Sequence, residues 1–141
     1  MVSEELKDII ASLEKKGEML LQEGASEDQI AEFENKNSFH FPLQYKEWLL
    51  FSDGGECFVP AGVQFYGIGH KPTINVDDDD RPNDSYIVIG ALCNGDPILC
   101  EKNNDQISIY NHEAGRVEED EIFTDFFTFL RELEDILGIG G

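Results

Sequence analysis

Positive charge is scarce in this chain. Lys and Arg number 10 against 30 Asp and Glu, which leaves a formal net charge of -20 over 141 residues. A field of that sign repels phosphate backbones and anionic lipid headgroups, so neither nucleic acid nor a membrane surface is an expected partner. It attracts cationic proteins and metal ions instead, although solubility is an equally sufficient reason for the acidity.

Cysteine is also rare. Cys57, Cys93 and Cys100 form neither an even disulfide framework nor a C-x-x-C pair, which suits a reducing compartment and makes the cytoplasm the expected location. Long apolar runs are missing as well. The longest, Tyr86 to Cys93, falls far short of the roughly 20 residues that a bilayer-spanning helix needs. The opening Met1-Val2-Ser3-Glu4-Glu5 is acidic where a secretory signal carries positive charge.

Several chemical signatures are missing too. Gly67-Ile68-Gly69-His70-Lys71 has neither glycine spacing that cradles a phosphate, and a strand-ending turn explains it better. No G-x-S-x-G elbow is present to support a nucleophilic serine. His40, His70 and His112 are scattered, without the i, i+4 spacing of a helical zinc motif. A Cys-His pair could assemble in space from Cys57 or Cys100, but nothing local marks an activated thiol, and each cysteine reads as a small buried hydrophobe. No catalytic, cofactor or metal residue is therefore expected.

What the chain does contain is enough apolar material for one core. Hydrophobic residues make up 40% and aromatics 11%, with ten Phe, four Tyr and one Trp, so one folded domain over residues 1–141 is expected. Leu6, Ile9, Ile10, Leu13, Leu20 and Leu21 fall at helical spacing, and Gly24 closes that element. Ser26 with Gln29 has the form of a capping box opening a second helix through about Asn37. A third helix starts at Pro42, sets Tyr45, Trp48 and Leu49 along a buried side, and halts at Gly54-Gly55.

Beyond Gly55 the periodicity changes. Val63 to Ile68, Tyr86 to Ala91, Pro97 to Glu101 and Gln106 to Tyr110 read as strands, with a short further strand at Arg116-Val117. Asn94-Gly95-Asp96 and Asn103-Asn104-Asp105 serve as hairpin connections. A last helix, from about Ile122 to Leu137, carries Phe123, Phe126, Phe127, Leu130 and Leu133 on one stripe and ends at Gly138. The expected class is α+β, with N-terminal helices and a C-terminal helix packed on an antiparallel, meander-like sheet.

Two acidic clusters are the candidate contact residues. The Asp77-Asp78-Asp79-Asp80 run lacks the alternating ligands and central glycine of a calcium loop, which leaves a solvated loop or a contact patch for a basic partner. Glu118, Glu119 and Asp120, followed by Glu121, stand before the last helix, where negative charge suits the helix dipole. Their functional alternative is a second part of one acidic face.

Three stretches in order resemble the SUKH superfamily, which includes the Smi/Knr-like fungal cell-wall regulators and bacterial immunity proteins. They are Phe41 to Gly55 with its Pro, Tyr, hydrophobic pair and Gly-Gly stop, the hairpin Ile87 to Cys100 about Asn94-Gly95-Asp96, and the aromatic segment Ile122 to Leu130. Similarity of order and spacing runs from Ser26 to Leu137. The resemblance implies a binding fold without an active site, used chiefly to neutralise toxin domains, often nucleases. The matching residues look structural, so none carries over as a ligand or catalytic group. Immunity against a basic toxin domain is thus the first expectation. An adaptor resembling the fungal regulators of glucan synthesis is the second, and a small enzyme with a Cys-His or carboxylate site is the least favoured.

Overall fold

A computed structural model describes the chain except residues 1, 60–61, 70–72, 75–80, 82, 103 and 138–141. Helix α1, Glu4–Lys16, opens with the Ser3 hydroxyl accepting the Leu6 N–H and buries Leu6, Ile9, Ile10 and Leu13. It stops earlier than its apolar spacing suggests. A side chain at Gly17 would meet the Phe58 ring at 2.4 Å, and the chain there is extended, feeding Met19–Leu20 into strand β1.

Helix α2, Glu27–Asn37, carries the expected capping box, with Ser26 and Gln29 exchanging side-chain and backbone hydrogen bonds. Helix α3, Leu43–Phe51, buries Tyr45, Trp48 and Leu49 as read from the sequence. Pro42 is its N-cap with ψ 139°, so it precedes the first turn instead of occupying it. Gly54 and Gly55 take φ of 97° and 108°, conformations in which a side chain would be strained, and Gly55 already begins β2, Gly55–Cys57.

The remaining strands are β3 (Val63–Phe65), β4 (Tyr86–Leu92), β5 (Pro97–Glu101), β6 (Ile107–Asn111) and β7 (Arg116–Phe123). All neighbours are antiparallel and the spatial order is the chain order, β1 to β7, a pure meander. Strand β4 is buried on both faces, and its register against β5 shifts between Val88 and Gly90. Ile87 and Ile89 join the aromatic core, whereas Val88 points to the opposite face, where Leu99 and Ser108 continue the cross-strand row toward Ile122.

The C-terminal segment differs most from expectation. In place of one helix from Ile122, the ladder keeps Ile122 and Phe123, which pair with Ser108 and Ile107. Helix α4, Phe126–Arg131, starts only after Asp125, whose carboxylate accepts the Thr128 N–H at 2.8 Å, and the short α5, Leu133–Leu137, follows a break at Glu132. Gly138, the expected stop, lies outside the described residues.

Helices and sheet meet in an aromatic cluster. Tyr45 and Phe126 lie 4.9 Å apart between ring centroids, Trp48 and Phe65 5.2 Å, and Phe65 and Phe126 5.3 Å, with edge-to-face geometry throughout. Two ion pairs, Arg131 with Glu5 and Lys16 with Glu134, run from α1 to the C-terminal helices. Among the described residues, no helix is long and apolar enough to cross a membrane.

Candidate functional site: the acidic edge strand

Pairing constrains what each polar group can do, and most buried ones are committed to the fold. The Asp53 carboxylate accepts N–H groups from Ile68 at 2.7 Å and Gly69 at 3.0 Å. That answers the phosphate-loop question for Gly67-Ile68-Gly69: its backbone donors are filled by the protein's own carboxylate, and a side chain at Gly67 would strike Asp53 at 2.5 Å. The Tyr45 hydroxyl donates to the Tyr66 carbonyl at 2.7 Å, with the Ile89 carbonyl at 3.2 Å. Burial, with the Cys100 thiol and Asp53 nearby, drives its pKa well above the ordinary range, so it serves as a neutral structural donor.

The thiols divide. Cys57 and Cys100 are buried as read, and burial pushes the Cys57 pKa up to about 12 and raises that of Cys100 still more, which removes the thiolate that any nucleophilic role requires. Cys93 is exposed and corrects the reading that each cysteine is buried, because it leaves the end of β4 for the hairpin turn. A maleimide reagent applied to native protein should therefore add to Cys93 alone, with Cys57 and Cys100 modified only after denaturation. Intact-mass spectrometry reads the number of additions, and more than one under native conditions would contradict this assignment.

His40 lies 3.8 Å from Glu34, and His112 contacts Asp96, whereas His70 is outside the described residues. Among the described residues no group of three or more His, Cys, Asp or Glu is placed to hold a metal ion.

The acidic clusters fare differently. Asp77, Asp78, Asp79 and Asp80 lie outside the described residues, so their distance from the second cluster has no structural account. Glu118, Glu119 and Asp120 do not form a helix N-terminus. They belong to β7, and Asp125 caps α4 in their stead. The helix-dipole explanation of this cluster therefore fails, because three further residues of ladder separate it from the cap.

Strand β7 is the last of the sheet, and its register against β6 breaks where the carboxylates sit. Tyr110 faces Val117 and Ser108 faces Ile122, so Glu118, Glu119, Asp120 and Glu121 together stand opposite Ile109. Such a bulge bows the strand and leaves backbone groups outside the ladder. Glu119 and Asp120 are exposed, and Glu118 meets Arg116 Nε at 3.2 Å. A shallow depression lined by Arg116, Val117, Glu118, Glu119 and Asp120 follows the strand.

Two further carboxylates join them. Burial first, then the charges of Asp120, Asp96 and Glu118, raise the Glu121 pKa, and Glu121 Oε2 is buried without a hydrogen-bond partner among the described residues. Asp96 comes from the β4–β5 turn and accepts the His112 N–H at 3.2 Å. Its arrival beside β7 depends on the pairing of intervening strands and leaves no mark in local sequence.

With this architecture in view, comparison with known families is decisive. The SMI1 / KNR4 family (SUKH-1) model matches residues 24–132. The chain belongs to this family. A search of curated proteins finds no match. The SUKH-1 match includes every strand from β2 to β7 and all of α2, α3 and α4, so the edge strand is part of the family fold. It begins at Gly24, so α1 and β1 precede the matched residues.

Proposed function

We propose that this SUKH-1 protein is a non-catalytic immunity-type protein of the cytoplasm that binds and blocks a basic toxin domain, for example a nuclease. The acidic edge formed by Glu118, Glu119 and Asp120 is its contact surface, and the Asp77 to Asp80 run is a second acidic contact segment. One observation carries the reading: four successive carboxylates occupy the last strand of the sheet in a protein of net charge -20, and among the described residues no further strand covers them. The burial of Cys57 and Cys100 and a filled glycine turn speak for binding over chemistry.

Electrostatic steering gives this interface a kinetic signature. Association with the cognate domain should slow by about tenfold or more from low to high ionic strength. Charge reversal at Glu119 and Asp120 should reduce the association rate far more than it raises the dissociation rate, as read by stopped-flow fluorescence. A complex indifferent to salt would remove the acidic surface from the interface.

Co-expression tests the biological role. The protein should restore growth to cells producing the co-encoded toxic domain, and the charge-reversed variant should not. An adaptor of the cell-wall regulator type would bind its partner and leave growth unchanged, which separates the two roles that the family suggests.

A further inference from the structure

We infer that the groove between α2 and α3 docks an amphipathic helix of a partner protein, one that carries an apolar ridge flanked by Lys or Arg. This surface shares no residue with the acidic edge of β7 and is a second point of contact. Helix α3 is irregular in its polarity. A surface helix ordinarily turns polar residues to solvent, but α3 is apolar on two sides. Tyr45, Trp48 and Leu49 fill the core, whereas Leu43 and Leu50 stand two turns apart on the side that lines the groove, and Leu43 is 71% exposed.

One exposed leucine on a surface is ordinary. Here a neighbouring helix extends it into a groove. Ile30 and Ala31 of α2 continue the apolar surface of Leu43 and Leu50, and together they line a depression of about 370 Å³. Its walls are fixed before any partner arrives. Ahead of α2 the Ala25 N–H donates to the Leu49 carbonyl at 2.8 Å, and a side chain at Gly24 would meet the Leu50 carbonyl oxygen at 1.9 Å. Further along α2, Glu34 pairs with Lys46 at 3.1 Å. A preformed groove between two helices loses little order on binding, and a third helix has the shape to pack its side chains between theirs.

Charge chooses the occupant. The groove sets the carboxylates of Glu27, Glu34 and Glu47 against the ammonium of Lys46, which leaves it negative, and Glu34 already engages Lys46. Glu47 accepts the neutral backbone N–H of Ser3 at 2.8 Å, which does not cancel its charge. Cationic side chains beside an apolar ridge therefore complement Glu27 and Glu47. A second copy of this chain, with the same groove and the same net charge of -20, would bring like charges together.

A stapled, blocked helical peptide with leucines at i, i+3 and i+7 and lysines at the flanking positions tests this, beside an isomer that spreads the same leucines around the helix. The isomer keeps the charge and removes the ridge. By fluorescence anisotropy the first peptide should bind about tenfold or more tightly, the equivalent of burying a leucine side chain, and amide shifts should concentrate in α2 and α3. Leu43→Ser and Ala31→Arg, both at exposed positions, should each remove most of that preference and leave the thermal transition unchanged. Charge reversal at Glu119 and Asp120 should preserve it, so the two surfaces are tested separately.

Equal binding of the two isomers would overturn the groove and leave charge attraction alone. Binding of neither would overturn it too, as would shifts centred on β7. A glutamate-for-lysine version of the peptide that binds as tightly would overturn the cationic occupant. A dimer seen by sedimentation that Ala31→Arg dissolves would overturn the choice of a partner protein in favour of a second copy.

Discussion

Trp48→Ala should destabilise the protein by about 3–5 kcal/mol, the range for truncating a large buried aromatic and leaving a cavity. Trp48 is fully buried, and its ring packs against Phe51, Phe65 and Phe126, joining α3 to the sheet and to α4. Its Nε1–H also donates to the Gly54 carbonyl at 2.8 Å, so the indole anchors the glycine turn into β2. The carbonyl keeps a second donor in the Ser52 hydroxyl at 2.9 Å, and most of the loss is therefore packing. Trp48→Phe should recover much of the loss, and any weakening of partner binding should follow from unfolding. Chemical denaturation of the three proteins checks this, and a change below about 1 kcal/mol for the alanine variant would contradict the role assigned to the ring.

Glu34→Ala should be nearly as damaging, at about 3 kcal/mol, because removing one member of a buried ion pair strands the other. Glu34 is buried in α2 and accepts the Phe41 N–H at 2.7 Å while pairing with Lys46 Nζ at 3.1 Å. Its loss leaves a backbone donor and a largely covered ammonium without their acceptor, at the point where the chain passes from α2 to α3. Lys46 keeps some access to water, with 27% of its side chain exposed, which holds the effect below that of a fully enclosed pair. Lys46→Met in the Glu34→Leu background should restore part of the lost stability, since both charges are then gone. A double variant no more stable than Glu34→Ala would place the damage in the Phe41 hydrogen bond alone.

Glu34 was not singled out in the sequence, and the reason is instructive. It sits among exposed acids of an amphipathic helix, and nothing in its immediate neighbours separates it from Glu27 or Glu32. Only the docking of α3, which carries Lys46, and of the segment before it, which carries Phe41, turns a surface residue into a buried one. Trp48 was legible because Tyr45, Trp48 and Leu49 lie along one side of a single helix, and the pattern needs no partner to be seen.

Strand length set a similar boundary. The strands that are apolar runs of five to seven residues, β4, β5 and β6, fall within a residue or so of where the sequence places them. β1 and β2 were missed, because two or three residues carry no period, and Met19 and Leu20 satisfied helical spacing equally well. Ile122 and Phe123 were misassigned to a helix for the complementary reason. Their apolar character fits both elements, and the decision belonged to the ladder with Ile107 and Ser108.

By itself the sequence determined the α+β class, the capping box at Ser26, the family, the buried side of α3 and the sign of the field around the molecule. Each depends on composition, or on groups a few residues apart in the chain. Only the tertiary structure decided that Glu118 to Asp120 lie on the last strand of the sheet instead of a helix terminus, that Glu121 gathers near Asp96, and that Asp53 fills the glycine turn. Those outcomes depend on strand order and register, in which residues distant in sequence compete for the same hydrogen bonds, and no local pattern encodes the winner.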